Sequence, residues 1–238
     1  PLTDLVIECH EISATKDIEI KTLPCRVHKL ELVAPDVMVI SLKLPTNQRL
    51  QFLAGQYIDI LLKDGKRRSF SLANAPHDDE YLELHARNYP GGVFTEHVFT
   101  NMKVKDMLRF TGPLGSFFLR DTPEECSIIF LASGTGFAPI KSILEHVFHQ
   151  EGGRHRKRNM TLYWGARTKS DLYLADLADK WQREHDNFTF IPVLSEPLPS
   201  DNWQGRTGLV HQAVMHDFLS LEMHQVYACG VPVMVKAA

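Results

Sequence analysis

The chain has 238 residues, enough for two modest domains with cores of their own. Hydrophobic residues make up 44% and charged residues 23%, and the formal net charge of −3 gives no basis for broad nucleic-acid binding. No apolar run reaches membrane-spanning length and no signal peptide is visible; Cys9, Cys25, Cys126 and Cys229 form no Cys-x-x-Cys pair, which argues against a metal or iron–sulfur site in this chain and points to a reducing cytoplasm.

Residues 1–22 alternate weakly and read as a linker with a lead-in strand. From Cys25 to Asp121 the pattern is β. Val27–Val33 and Val37–Leu44 read as strands joined at Pro35-Asp36, and Tyr57–Leu62 and Arg67–Leu72 flank the hairpin turn Lys63-Asp64-Gly65. Tyr81–His85 alternates cleanly, Gly91-Gly92 precedes a short helix over Val93–Thr100, and Met107–Thr111 is a strand before a turn at Gly112-Pro113-Leu114-Gly115. Short, evenly spaced strands with one small helix predict an antiparallel barrel.

Past Asp121-Thr122-Pro123 the period changes. Ile128–Ala132 has the length and branching of a strand buried on both faces, Ser133-Gly134-Thr135-Gly136 breaks it, and apolar residues then recur at helical spacing to about residue 150. Strands at Met160–Trp164, Phe188–Leu194 and Gln225–Cys229 alternate with helices over Leu172–His185 and Leu209–Phe218, and the last residues open another helix. This order predicts a parallel sheet with helices on both faces, and such sheets bind ligands at the C-terminal strand ends. The loops there are Ser133–Gly136, Gly165–Lys169, Ser195–Pro199 and Cys229–Val231. Of the 12 histidines, His146 and His149 read as surface residues, and the run Arg154–Arg158 as a solvated loop or a dock for an acidic electron-transfer partner.

Several stretches have chemistry beyond folding. A glycine turn between strand and helix presents N–H groups and a helix dipole to phosphate, and Pro139, standing where a third glycine would complete a Gly-x-Gly-x-x-Gly, suits a first helical turn. Taken alone, the turn is equally well a plain connection. Arg68-Ser69-Phe70-Ser71 brings a guanidinium, an aromatic ring and hydroxyls onto one strand, suited to a phosphate, a flat ring and its polar edge, or simply to a core phenylalanine beside a surface arginine. Gly91-Gly92 before Thr95 is a second candidate anion site, or a helix start without a ligand. Cys229-Gly230 ends the last strand, where a cysteine is either structural or placed at the reacting ring.

In this order, Arg68-Ser-Phe-Ser71, Gly91-Gly-Val-Phe-Thr95, Gly134-Thr-Gly-Phe-Ala-Pro139, Trp164-Gly-Ala-Arg167 and Cys229-Gly230 resemble the ferredoxin–NADP reductase family of flavoproteins. Within it, the likeness is greatest to bacterial reductases that join this unit to a plant-type ferredoxin domain, such as CDP-6-deoxy-glucoseen reductases and reductase components of aromatic oxygenases. The resemblance implies a six-stranded Greek-key barrel binding FAD (FMN less so) over residues 23–122, and a C-terminally incomplete NAD(P)-binding α/β domain over residues 123–238. Residues 1–22 would end a ferredoxin-like domain whose [2Fe-2S] cysteines precede Pro1. It implies that Arg68 holds flavin phosphate, Phe70 stacks on the isoalloxazine in place of the commoner tyrosine, and Ser69 and Ser71 meet its edge, Ser71 near the reactive nitrogen. Gly91, Gly92 and Thr95 would hold the flavin pyrophosphate. Gly134, Thr135, Gly136 and Pro139 would take the nicotinamide pyrophosphate, Arg167, Ser195 and Glu196 the adenosine half, and Cys229 and Gly230 the nicotinamide. The activity implied is hydride transfer from NAD(P)H, NADH before NADPH, to flavin, then single electrons to an iron–sulfur protein, dehydratase or oxygenase component. A reductase of free flavin and a non-catalytic flavin-binding subunit are the alternatives.

Overall fold

The computed structural model describes residues 18–120, 123, 125–150 and 152–238; the expectation for the start of the chain falls mostly outside the described residues. The first half forms β1 (Lys21–Ala34), β2 (Val37–Lys43), β3 (Tyr57–Leu61), β4 (Arg67–Ser71), β5 (Leu82–Arg87), helix α1 (Val93–Thr100) and β6 (Met107–Leu114). These strands pair antiparallel in the order β4-β3-β6-β1-β2-β5. Just past β4, Leu72 bridges to Leu84 of β5, and the Ala73 N–H donates to the Glu83 carbonyl at 2.8 Å. The two edges therefore meet, and the sheet curls into the expected six-stranded barrel.

Alternation fills the barrel. Ile40 and Leu42, Ile58 and Ile60, and Leu82, Leu84 and Ala86 point into one core with Val27 and Phe110, and α1 adds Phe94 and Val98. Burial pushes the Cys25 thiol in this core up to about 12, so it is an inert packing group. The turn expected at Gly112–Gly115 is instead largely strand: β6 runs to Leu114 because Gly112 pairs with Lys21 and Leu114 with Tyr57. A side-chain carbon at Gly112 would lie 2.6 Å from Ile58 Cγ2, so glycine is what lets the ladder continue over β3.

The second half forms β7 (Ser127–Ser133), α2 (Phe137–His149), β8 (Met160–Ala166), α3 (Ala175–Glu184), β9 (Phe188–Leu194), β10 (Arg206–Thr207), α4 (Val210–Asp217), β11 (His224–Cys229) and α5 (Pro232–Ala237). The sheet is parallel, in the order β10-β9-β8-β7-β11. As its apolar run required, β7 is buried on both faces: Ile128, Phe130 and Ala132 pack with α2 and α3, Ile129 and Leu131 with α4 and α5. The helix expected from Leu172 begins only at Ala175, because Thr168 and Asp171 cap a separate 3-10 turn at Lys169–Asp171. Arg158, expected in a solvated loop, is buried, with its Nε donating to the Cys126 carbonyl.

The two domains meet along α2. Lys141 Nζ donates to the Ala73 carbonyl at 3.2 Å and Ser142 Oγ to the Asn74 carbonyl at 2.7 Å. His149 is exposed, as expected of a surface residue, and stacks on His77 of the barrel at 3.7 Å.

Candidate functional site

β4 and α1 bring two of the predicted stretches together. Phe70, half-buried, packs against Phe94 of α1 with ring centroids 5.4 Å apart. Arg68 Nη1 donates to the Arg67 carbonyl at 2.8 Å, and among the described residues no carboxylate pairs with this guanidinium. Ser69 donates to Asp59 at 2.7 Å, so its hydroxyl is held by the neighbouring strand, while Ser71 is half-buried. Gly92 caps α1, and Thr95 Oγ1 donates back to its carbonyl at 3.0 Å. The first helical bond is Glu96 N–H to Gly92 O, so the N–H groups of Val93, Phe94 and Thr95 have no helical acceptor.

β7 ends in a 3-10 turn, Gly134–Gly136, that runs straight into α2, with Pro139 in its first turn. Trp164 of β8 fixes this turn: its Nε1 donates to the Gly134 carbonyl at 3.1 Å and its ring stacks on Phe137 at 3.9 Å. A side-chain carbon on Gly136 would lie 2.1 Å from the Cys229 carbonyl oxygen, so only glycine lets β11 end against the turn. Gly230 has φ +151°, a backbone state L side chains avoid, and the Val231 N–H beyond it donates to Ser133 Oγ at 3.0 Å. Cys229 is half-buried and burial pushes its thiol up to about 11, so it remains protonated near neutrality.

The barrel reaches the same turn. A side-chain carbon on Gly134 would lie 2.6 Å from Nη1 of Arg87, at the end of β5. Arg87 pairs with Asp36 at 2.7 Å and, across the domains, with Asp171 at 3.1 Å. Gly91-Gly92 follows Arg87 by a few residues, so both glycine turns lie near the end of β5. Ser195 and Glu196 lie beside Arg167, their N–H groups donating to the carbonyls of Ala166 and Arg167 at 2.9 Å each. Arg206, another cation of this sheet end, is held by Asp217 at 2.6 Å.

Arg87, Glu83, His85 and Tyr173 escaped the motif reading, and Trp164 entered it only as the start of Trp164-Gly-Ala-Arg167, without a role. A signal for three of them was present: in Leu82-Glu-Leu-His-Ala-Arg87 the apolar residues alternate with Glu83, His85 and Arg87, a polar row on the face away from the barrel core.

The donor set suits dinucleotides. One site offers a guanidinium, an aromatic ring, hydroxyls and free helix N–H groups; the other offers a turn with glycine on both sides of Thr135 where two strands end. Comparison with known proteins agrees. Residues 24–119 match the oxidoreductase FAD-binding domain and residues 130–238 the oxidoreductase NAD-binding domain. The chain is 39% identical over 236 residues to the CDP-6-deoxy-L-threo-D-glycero-4-hexulose-3-dehydrase reductase of Yersinia pseudotuberculosis, covering 99% of this chain and 69% of that protein. It is 39% identical over 220 residues to reductase component 2 of terephthalate 1,2-dioxygenase from Comamonas, covering 91% of this chain and 62% of that one. The crystal structure of the Amycolatopsis cytochrome P450 reductase GcoB superposes with a TM-score of 0.83 at 34% identity, covering 92% of this chain and 65% of that chain. The chain therefore belongs to the ferredoxin–NADP reductase family of FAD- and NAD-binding oxidoreductases.

Proposed function

We propose that this chain carries hydride from NADH to an FAD held by the barrel and delivers the electrons singly to a partner protein. The observation that carries the reading is the convergence of the Gly134–Gly136 turn, the end of β11 at Cys229 and the barrel's Arg87. Arg68 and the N–H groups at the start of α1, behind Gly91 and Gly92 with Thr95, would hold the flavin pyrophosphate; that second anion site favours FAD over FMN. Phe70 would stack on the ring, and Ser71, with Ser69 steadied by Asp59, would meet its edge. Gly134, Thr135, Gly136 and Pro139 would seat the pyrophosphate of the donor, with Cys229 and Gly230 against its nicotinamide. Bound FAD would supply the conversion of a two-electron hydride into single electrons. The protein's part is to orient the two rings and exclude water.

A neutral Cys229 thiol suits orientation rather than covalent catalysis. Anaerobic stopped flow tests both points: NADH should bleach the bound flavin, and Cys229→Ser should slow the bleaching without loosening FAD. A parent protein whose flavin stays oxidised under excess NADH and NADPH ends the proposal; equal rates in parent and variant return Cys229 to a packing role. The acceptor is read from the relatives, one a dehydrase reductase and another a dioxygenase reductase component: an iron–sulfur protein, a dehydratase or an oxygenase component.

Glu196 supports NADH as donor. A 2′-phosphate needs positive charge, and here an exposed carboxylate stands beside Arg167 while Arg206 is occupied by Asp217. The ratio of kcat/KM for NADH over NADPH should exceed unity in the parent and fall in Glu196→Arg. A parent preferring NADPH, or an unmoved ratio in the variant, removes Glu196 from the selection.

A further inference from the structure

The polar row of β5 meets the second domain at a bonded chain that no motif announces. His85 is wholly enclosed, with Nε2 2.9 Å from Glu83 Oε1 and Nδ1 2.8 Å from Tyr173 Oη. Tyr173 lies between the 3-10 turn Lys169–Asp171 and α3, so the last bond crosses between domains. The proton positions follow from the surroundings. Burial works against Glu83, but the His85 bond and the Lys141 ammonium, 3.1 Å away, pull its carboxyl down to about 2. Burial pushes His85 down against the pull of Glu83, and burial with the Glu83 charge pushes Tyr173 well up. A neutral imidazole between a carboxylate and a phenol has one consistent arrangement: Tyr173 O–H donates to Nδ1, and Nε2–H donates to Glu83.

Tyr173 ties this chain to the nucleotide turn. Its ring stands edge-on to Trp164 at 5.2 Å and to Phe137 at 6.3 Å, the two residues that brace Gly134 and open α2. Cys229 ends against the same turn, its carbonyl oxygen 2.1 Å from where a side-chain carbon on Gly136 would lie.

We propose that Glu83–His85–Tyr173 is a positioning device that fixes the glycine turn and Cys229 relative to the barrel, so that cutting it slows hydride transfer without weakening either dinucleotide. The proposal rests on the functional reading above. Other ties along the seam, Arg87 to Asp171 at 3.1 Å, Lys141 to the Ala73 carbonyl at 3.2 Å and Ser142 to the Asn74 carbonyl at 2.7 Å, keep the domains docked when the Tyr173–His85 bond is lost. The effect is then a shift of one domain on the other.

Two isosteres separate the halves of the chain. The amide of asparagine falls where Nδ1 was, and that of glutamine where Nε2 was. His85→Asn thus keeps an acceptor for Tyr173, and His85→Gln keeps only the bond to Glu83. In holoprotein, His85→Gln and Tyr173→Phe should each lower the rate of bound-flavin reduction by NADH roughly ten- to a hundredfold, the range expected from displacements of up to about an ångström. The dissociation constants for FAD and NAD+ should be unchanged, and His85→Asn should recover most of the rate. Parent-like rates in His85→Gln and Tyr173→Phe overturn the proposal, as do a His85→Asn as slow as the glutamine variant or a rate loss matched by lost affinity. A second readout needs no turnover: 15N-histidine NMR of the parent should show His85 as the neutral Nε2–H tautomer, and the Nδ1–H tautomer would reverse the bonds and overturn the device. A parent that binds both dinucleotides but transfers no hydride defeats the functional reading instead, with the tautomer still deciding whether the chain exists as described.

Discussion

Gly136→Ala is expected to reduce NADH-driven flavin reduction by a hundredfold or more while the barrel keeps its flavin. The φ of Gly136 is −59°, open to any residue, so the effect is purely one of space. The new methyl would meet the Cys229 carbonyl oxygen at 2.1 Å, its carbon at 2.5 Å and Gly230 Cα at 2.7 Å, all backbone that cannot swing aside as a side chain would. Either β11 or the turn has to move by an amount comparable to an ångström, enough for about a hundredfold loss in a transfer that depends on alignment. Overpacking of this kind also costs about 1–3 kcal/mol of stability. Stopped-flow reduction, flavin content and thermal unfolding check it together. A variant with parent-like reduction rates would mean that the turn and the end of β11 do not frame the nicotinamide site.

Arg68→Ala should act on the other cofactor. Removing a charge-assisted bond to phosphate weakens FAD binding by about 1.5–3 kcal/mol, roughly ten- to a hundredfold in dissociation constant. Arg68 has no acidic partner among the described residues, so its loss leaves no carboxylate stranded, and unfolding of the flavin-free protein should be almost unaffected. Flavin titration of parent and variant measures the first quantity and thermal melts the second. Equal FAD affinities would move the phosphate contact elsewhere on the barrel.

The elements were legible where one force dominates. Ile128–Ala132 could only be a strand buried on both faces, and Phe188–Leu194 and Val93–Thr100 have the bounds that periodicity gave them. The reading failed where a residue's usual local meaning was overridden. Gly112-Pro113 looked like a turn, yet cross-strand pairing with Lys21 and Tyr57 keeps β6 extended through it. Leu172 and Tyr173 looked helical, but the Thr168–Asp171 cap closes a separate turn and frees both residues for packing. The glycine turns of the site were visible because glycine is itself a backbone statement. The chain from Glu83 to Tyr173 was hidden because its partners lie 88 residues apart and meet only once two domains dock. Arg158 was misread for a similar reason: its stem is buried under a carbonyl, Cys126, 32 positions away.

The strand order β10-β9-β8-β7-β11 has a consequence for how such proteins diverge. After β7 the chain winds outward on one side, then returns to lay β11 on the other. On the proposed reading, the loops that would meet the adenosine end follow β8 and β9, whereas those that would meet the reacting ring follow β7 and β11. Donor choice and hydride chemistry would then occupy opposite flanks of β7. Substitutions at Arg167, Ser195 or Glu196 can drift, or be selected, without disturbing the fit of Gly136 against Cys229. On this reading a lineage could exchange one nicotinamide donor for another through surface loops alone, while the hydride-transfer geometry stays under separate constraint.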